Sequence, residues 1–520
     1  MTPDNTAQPD GAVSAQLADN QRIMDQILED SSDIERRDFV MKENRGAAGR
    51  CMYTDGLVSS DDIQLILQAL VLFSRIPDSP ASSLPDAEAL RMHLLVNASV
   101  KLASTINECV DAVLVGDCAV FVDGMDKALI VAARGWEKRG VDEPATESVV
   151  RGPRDGFTES IRTNTAHIRR RIRDPELRIE SMQIGERTKT DVCILYIKGI
   201  VKKGLIEEIR NRLGQIQVDG ILESGYIEEF IEDAPLSPFT TIQSTERPDK
   251  AAAAILEGRA VILVDNTPFC LIVPTYFWSY FQASDDYYSR YWVGSFFRII
   301  RYIAFVISLM LSSIYIMLVS FHQEMIPTGL ALTIASGREV VPFPVLLEAL
   351  FMELAFELMR EAGLRLPKPV GQAVSIVGSL IVGQAAVQAG LVSPFMVIVV
   401  AITGISSFAI PNYAASFSIR LIRFPLLIAS GTLGLLGFSA VTFALIIHAL
   451  SLRSFGEPYL SPLTPFRPSD QKDTLLRFPW WSMMRRPQLA SGEATRIAKG
   501  QRPSPPSSDK LGGASDEEGA

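Results

Sequence analysis

Between Pro369 and Ile419 the chain runs 51 residues without one Asp, Glu, Lys, Arg or His. That is too long for a buried helix of a soluble domain. One bilayer crossing takes about 20 apolar residues, so the window is read as two crossings, at about 370–391 and 394–411, broken at Ser393-Pro394. Two more apolar stretches flank it. One is 302–323, between Arg301 and Glu324; the other is 424–452, where Pro425 suits a first helical turn. Nine aromatic residues between Tyr276 and Trp292 crowd the approach to the first stretch, as in an interfacial belt.

The segment before the uncharged window is harder to place. VPFPVLLEALFMELAFELMREAG reads as an apolar helix carrying Glu348, Glu353, Glu357 and Glu361. The last three recur every four residues and share one face. Two readings stand: an amphipathic helix lying in the membrane plane, or a helix facing a watery cavity or ion path. The first gives four full crossings and a C-terminus on the side of the N-terminal body; the second gives five and the opposite side. The reading adopted is four plus one partial helix. Arg290, Arg298 and Arg301 before the first crossing favour a cytosolic body.

Inside the uncharged window Gln372, Ser375, Ser379, Gly383, Ala386 and Gly390 fall on one helical face. Small residues on one face serve helix packing; they also line hydrated pores. Gln372, Ser375, Ser379 and Gly383 are the candidate pore-lining residues. In the last stretch Gly431, Gly434 and Gly437 are read as close packing.

Roughly 300 residues before the first crossing read as soluble protein, and two stretches of them match each other. Tyr53, Gly56 and Val58 fall on Tyr196, Gly199 and Val201; Gly116 and Asp123 fall on Gly258 and Asp265. Each stretch alternates β-like runs with helical patterns. DVCILYI is read as a buried strand, KGLIEEIRNRLG and DKAAAAILEG as helices, and RAVILVD with PFCLIVP as a hairpin turning at Asn266-Thr267-Pro268. The expected fold is therefore a pair of repeated α/β subdomains with mixed sheets, followed by a polytopic α-helical membrane domain. The boundaries are a disordered N-terminus at 1–18, subdomain 1 at 19–150, a basic helical connector at 151–185, subdomain 2 at 186–290, the transmembrane domain at 291–455, and a Pro-rich, disordered tail at 456–520. In the connector, Ile161, Thr165, Ile168 and Ile172 share a face, and Arg162, Arg169, Arg170, Arg171 and Arg173 cover much of the rest. These arginines are read as a solvated face or a contact with an acidic neighbour, against binding of anionic lipid or phosphate.

Composition excludes several classes. A net charge of −10 argues against a general nucleic-acid binder. The polar, acid-bearing N-terminus reads as no signal peptide. Five cysteines without a CxxC pair, and four histidines, support neither a zinc site nor a disulfide framework. No nucleophile–base set, phosphate-cradling loop or metal-ligand cluster is visible. No catalytic residue, metal or cofactor is therefore assigned, and the chain is not expected to be an enzyme.

GPRDGFTESIRTNTAHIRRRI, IGERTKTDVCILYIKGI, VGQAAVQAGLVSP, SSFAIPNY, SFGEPYLSPLTPFRP and PWWSMMRRP together resemble the A subunit of GerA-type spore germination receptors, from about Asn20 to about Pro487. The resemblance implies a protein of the spore inner membrane, multi-pass with a cytoplasmic N-terminal domain. It implies a permease-like B subunit and a lipoprotein C subunit as partners. It also implies a homo-oligomer forming a nutrient-gated cation channel that starts germination. A stage V sporulation relative shares this build. A permease-like transporter fits poorly, since the duplication lies in the soluble region; a non-conducting scaffold for other subunits remains the other alternative.

Overall fold

The computed structural model describes residues 11–29, 31–41, 47–71, 87–94, 99–135, 143–144, 147, 149–365, 383–487, 495–498 and 501–503. Its soluble region contains two five-stranded sheets. The first comprises β1 (Ile34–Val40), β2 (Ala48–Thr54), β3 (Val100–Ala103), β4 (Cys118–Val122) and β5 (Ala128–Val131), in the order β1-β2-β4-β5-β3. The second comprises β6 (Leu177–Ile184), β7 (Thr190–Ile197), β8 (Gln243–Thr245), β9 (Ala260–Val264) and β10 (Cys270–Val273), in the order β6-β7-β9-β10-β8. The two orders are the same.

The residues that align in sequence do the same work in both units. Gly56 and Gly199 have φ of +79° and +88°, and Gly116 and Gly258 have +98° and +90°, a region that disfavours any residue with a Cβ. Asp123 accepts the N–H of Leu17 at 3.1 Å, where helix Leu17–Ile27 begins. Asp265 accepts that of Ile161 at 3.1 Å, where helix Ile161–Arg171 begins. Asn20 takes the N–H of Ser14 at 2.8 Å and returns a bond to its carbonyl at 2.6 Å; Asn164 does both to Thr158 at the same distances.

Alternation sets the layers. Along β7, Cys193, Leu195 and Ile197 face the core under helices Ile161–Arg171 and Pro248–Leu256, while Val192, Ile194 and Tyr196 face the core under helices Leu205–Gly214 and Ser224–Ile231. A strand covered on both faces reads as a continuous apolar run.

Three expectations change. Among the described residues every strand pair is antiparallel, so the sheets are not mixed. The strand–helix–strand rhythm of β8, Pro248–Leu256 and β9 does carry two strands pointing the same way, but β10 slots between them. The region 151–185 is not a connector: helix Ile161–Arg171 opens the second unit as Leu17–Ile27 opens the first, and Leu177–Ile184 pairs along its whole length with β7. Residues 11–18 are ordered, with Val13 buried and its N–H bonded to the carbonyl of Ser104 at 2.9 Å; residues 1–10 lie outside the described residues.

Beyond the N-terminal body, two helices among the described residues are long and apolar enough to cross a membrane, Tyr291–Phe321 and Tyr413–Ser451. The second is not one rod. At Gly434, φ is +59° and ψ −136°, and the N–H of Leu435 turns to His322 Nε2 at 3.3 Å. A straight 39-residue helix would be about 58 Å long, yet both of its ends touch the second soluble unit. Asn412 donates to the carbonyl of Ser244 at 3.4 Å, and His448 Nε2 lies 2.8 Å from Ser237 Oγ. The segment is therefore a hairpin of two arms, 413–433 and 435–451, with Gly434 at its tip against Phe321 and His322. The expected single stretch 424–452 is corrected accordingly: three glycines within seven residues mark a reversal, which periodicity alone does not show.

The chain then returns to the body. Ser454 Oγ bonds the carbonyl of Thr241 at 2.7 Å and the N–H of Thr275 at 2.9 Å. Phe455 joins the second unit's core, and the carbonyl of Tyr459 accepts from Phe277 at 3.0 Å. The first portion of the expected disordered tail, to Pro487, is thus folded; residues 504–520 lie outside the described residues.

Candidate functional site: a buried charge ladder among the apolar helices

Helix Val345–Arg365 is inside out. Leu347, Phe351, Leu354 and Leu358 are more than half exposed, while Glu348 and Glu353 are 1% exposed. In water this arrangement is unfavourable; beside lipid it places charge toward protein and hydrocarbon toward hydrocarbon.

Its carboxylates meet the first arm of the hairpin in antiparallel register. Glu353 Oε2 is 2.6 Å from Arg423 Nη1, and Glu357 Oε2 is 2.7 Å from Arg420 Nη1. A four-residue step on one helix answers a three-residue step on the other, both of which return to the same face. Around the first pair, Ser312 Oγ donates to Glu353 Oε1 at 2.8 Å and lies 3.2 Å from Thr403 Oγ1. Arg423 Nη2 donates to Ser308 Oγ at 3.1 Å. Ser308 and Ser312 sit one turn apart on Tyr291–Phe321, and Thr403 lies on Pro394–Phe408, so four helical segments share one polar centre. One turn toward the body, Arg360 donates to Ser407 Oγ at 2.6 Å and stacks 4.2 Å from the Phe408 ring. At the other end Glu348 Oε1 accepts from the N–H and Oγ of Ser393, both at 2.5 Å, where Ser393 caps Pro394–Phe408. Glu361 pairs with Arg365 at the surface.

The stripe of glutamates thus turns into the bundle. Sequence reasoning placed Glu348, Glu353 and Glu357 but missed Arg360, Arg420, Arg423, Ser308, Ser312 and Thr403. The signal for the arginines was Arg420 and Arg423 three apart inside an otherwise apolar run. Among the described residues Glu357 Oε1, Arg360 Nε and Arg423 Nε have no hydrogen-bond partner, so the ladder keeps polar capacity in a low-dielectric interior.

Of the candidate pore face, Gln372, Ser375 and Ser379 lie outside the described residues. Gly383 is buried, and a Cβ there would meet Val397 at 3.3 Å, so it faces a helix of its own chain. The five basic residues at 162–173 diverge. Arg169 is 1% exposed and holds both oxygens of Asp33 at 2.9 Å, joining the two units. Arg162 pairs with Asp55, and Arg171 with Asp155 at 2.6 Å. Arg170 and Arg173 are exposed. His167, with Nδ1 3.5 Å from Asp155 Oδ2, and the hydrogen bond from Arg171 hold the Asp155 carboxyl well below the usual range despite its burial. Among the described residues no group of His, Cys, Asp and Glu is arranged to hold a metal ion.

Comparison with known proteins gives this geometry its context. The profile of the family described as Bacillus/Clostridium GerA spore germination protein matches residues 22–489. The chain is 45% identical to spore germination protein KA of Bacillus subtilis, covering 95% of this chain and 91% of that protein. It is 42% identical to the uncharacterized membrane protein YfkQ of Bacillus subtilis, covering 95% of each, and 38% identical to spore germination protein GerLA of Bacillus cereus, covering 88% and 92%. The crystal structure of the N-terminal domain of the A subunit of the Bacillus megaterium germinant receptor GerK3 aligns with 37% identity and a TM-score of 0.41, over 51% of this chain and 98% of that one. None of these relatives is named as an enzyme.

Proposed function

The chain belongs to the GerA family of spore germination proteins, and on that premise we propose that it is the A subunit of a nutrient-sensing germination receptor that oligomerises into a cation channel of the spore inner membrane. The family is one of receptor subunits, not of enzymes. The observation that carries the channel reading is the ladder: an apolar bundle that keeps Glu353, Glu357, Arg420 and Arg423 inside has a polar interior, and ionisable residues within membrane helices mark conduction or gating elements by default.

In this reading the bundle crosses the membrane an even number of times. Tyr291–Phe321 leaves the body; Ile316 and Val319 near its far end pack with Val345, Val392 and Met396. Val345–Arg365 and Pro394–Phe408 run back from there, and the hairpin goes out and returns. Ala386 and Val392 pack in that same far cluster, whereas Arg365 ends the helix that runs back from it; residues 366–382 between them lie outside the described residues. Six passes result. They put Arg360, Arg365, Arg420 and Arg423 toward the body, together with Arg290, Arg298 and Arg301, as the excess of cytosolic positive charge requires.

The proposed partners are a permease-like B subunit and a lipoprotein C subunit, with Gln372, Ser375 and Ser379 kept as the pore face. The test is co-reconstitution of all three proteins in liposomes and measurement of nutrient-triggered release of a monovalent cation. Release that needs this chain, and that changes ion selectivity when Ser375 or Ser379 is replaced by Asp, supports the reading. Undiminished release without this chain overturns it.

A further inference from the structure

We propose that a second site, spatially separate from the ladder, lies between the second N-terminal unit and the returning C-terminal segment, and that it binds a small carboxylate. A cavity of about 140 Å³ there is lined by Gln243, Glu257, Arg259 and Trp480. A second of about 60 Å³ shares Glu257 and Arg259 with it and adds Tyr276 and Ser461. One water needs only about 10–15 Å³ of such space, so the larger chamber is several times the size of a single water site.

Its walls are built and unsatisfied. Gln243 is 2% exposed, Ser461 1%, and Arg259 and Tyr276 8% each. Among the described residues Gln243 Nε2, Arg259 Nε, Tyr276 Oη and Ser461 Oγ have no hydrogen-bond partner. Leaving a buried polar atom unpaired costs about 1–3 kcal/mol; Gln243 and Arg259 line the larger chamber, Tyr276 and Ser461 the smaller, and Arg259 is common to both. In the larger chamber Gln243 Nε2 and Arg259 Nε can only donate, whereas the Tyr276 and Ser461 hydroxyls of the smaller one can also accept. The occupant must therefore bring acceptors. Glu257 holds one edge of the Arg259 guanidinium at 3.2 Å and leaves Nε free; Arg496 pairs with Glu257 at 3.6 Å and closes the mouth by stacking 4.9 Å from Trp480. The wall also carries Asp249 and Glu257, but Arg247 holds the first at 2.8 Å and Arg259 and Arg496 the second, so the two free donors and the small volume fit a carboxylate on a short carbon skeleton, with the Trp480 ring along its apolar end.

The test uses the full chain in nanodiscs and propanoate as the probe, followed by intrinsic tryptophan fluorescence and thermal unfolding. Propanoate should produce a saturable change in both, with propanamide at least about tenfold weaker. Arg259→Gln should weaken propanoate by about tenfold or more, and Gln243→Leu should do so while keeping Arg259. Trp480→Phe should remove the fluorescence change and keep the thermal shift. A response that does not saturate, equal responses to propanoate, propanamide and chloride, or unchanged affinity in both Arg259→Gln and Gln243→Leu would mean that water alone fills the cavity. Because the probe comparison is made on the wild-type chain, loss of fold in a variant leaves the test intact.

Discussion

Arg423→Gln is the sharpest test of the ladder. Arg423 and Glu353 have side chains 2% and 1% exposed and meet at 2.6 Å. Removing one partner of a buried pair leaves the other charge uncompensated, at a cost of about 3–5 kcal/mol. The bond to Ser308 is also lost, for about 1 kcal/mol more. For a domain of this size each kcal/mol moves Tm by about 2–4 °C, so the drop should be roughly 10–20 °C. Glu353→Gln should fall by a comparable amount, because it strands the guanidinium. The double variant removes both charges together, so it should lie well above either single one, with a coupling of about 2–3 kcal/mol. The assay is thermal unfolding of the full chain in detergent, with the four proteins forming one cycle. If Arg423→Gln stays within about 2 °C of wild type, the effect is that of a surface substitution and the pair is not desolvated. If the double variant is no better than the singles, the two residues do not hold each other.

Other features carry their own outcomes. Arg169→Met should destabilise the soluble body by about 3–5 kcal/mol by stranding Asp33, read by urea unfolding, whereas Arg173→Met on the exposed face should change it by under about 0.5 kcal/mol. Gly434→Ala forces a Cβ into a positive φ and onto Phe321 at 2.9 Å; it should lower Tm and raise protease access to the 435–451 arm, and an unchanged digestion pattern would argue against the hairpin. Burial and the neighbouring carboxylates of Glu232, Glu223 and Glu229 push Glu228 up to about 7. An acid raised in the folded state binds more protons than in the unfolded one, so its contribution to stability falls as pH rises from about 4.5 to 7. Glu228→Gln should therefore stabilise the chain by about 1–3 kcal/mol at pH 8 and by little at pH 4, measured as Tm against pH.

Much of the soluble fold was legible because a repeat doubles each signal. The glycine pairs, the Asp123 and Asp265 anchors and the apolar run of β7 each follow from a local requirement that single residues advertise. Strand direction was legible only in part: RAVILVD and PFCLIVP read as a hairpin, but that β8 pairs with β10 rather than with β9 leaves no trace in periodicity. Arg169 was read as a solvated residue or a contact with an acidic neighbour, since a guanidinium is rarely buried unpaired; that the neighbour is Asp33, 136 residues away, no local pattern carries. The ladder was half legible for the same reason. Spacing showed that Glu353 and Glu357 share a face, but which way the face points depends on Arg420 and Arg423, and these looked like the flank of a crossing. Hydropathy counts apolar residues and is blind to one glycine in a left-handed turn, which is why the last crossing was taken as a single rod.

The ladder and the cavity are joined by the root of the first long helix. Arg298, fully buried, donates to Asp286 at 3.2 Å and to the carbonyl and carboxylate of Asp473 at 2.7 and 2.9 Å. Arg301 holds both oxygens of Asp286 at 2.8 Å, and Tyr302 donates to the carbonyl of Thr474 at 2.7 Å. Asp473 therefore belongs at once to the returning segment, to the helix root and to the wall of the smaller chamber. Burial pushes its carboxyl above the usual range while Arg298 pulls it back, so its charge depends on that contact being kept. Seven to eleven residues beyond Arg301, on the same helix, Ser308 and Ser312 stand in the ladder. A rotation or shift of the root that relieves Asp473 must carry those serines with it, because a helix transmits rigidly over two to three turns. One helix thus links the N-terminal body to the charged interior, held at its root by four charges and at its centre by two hydroxyls.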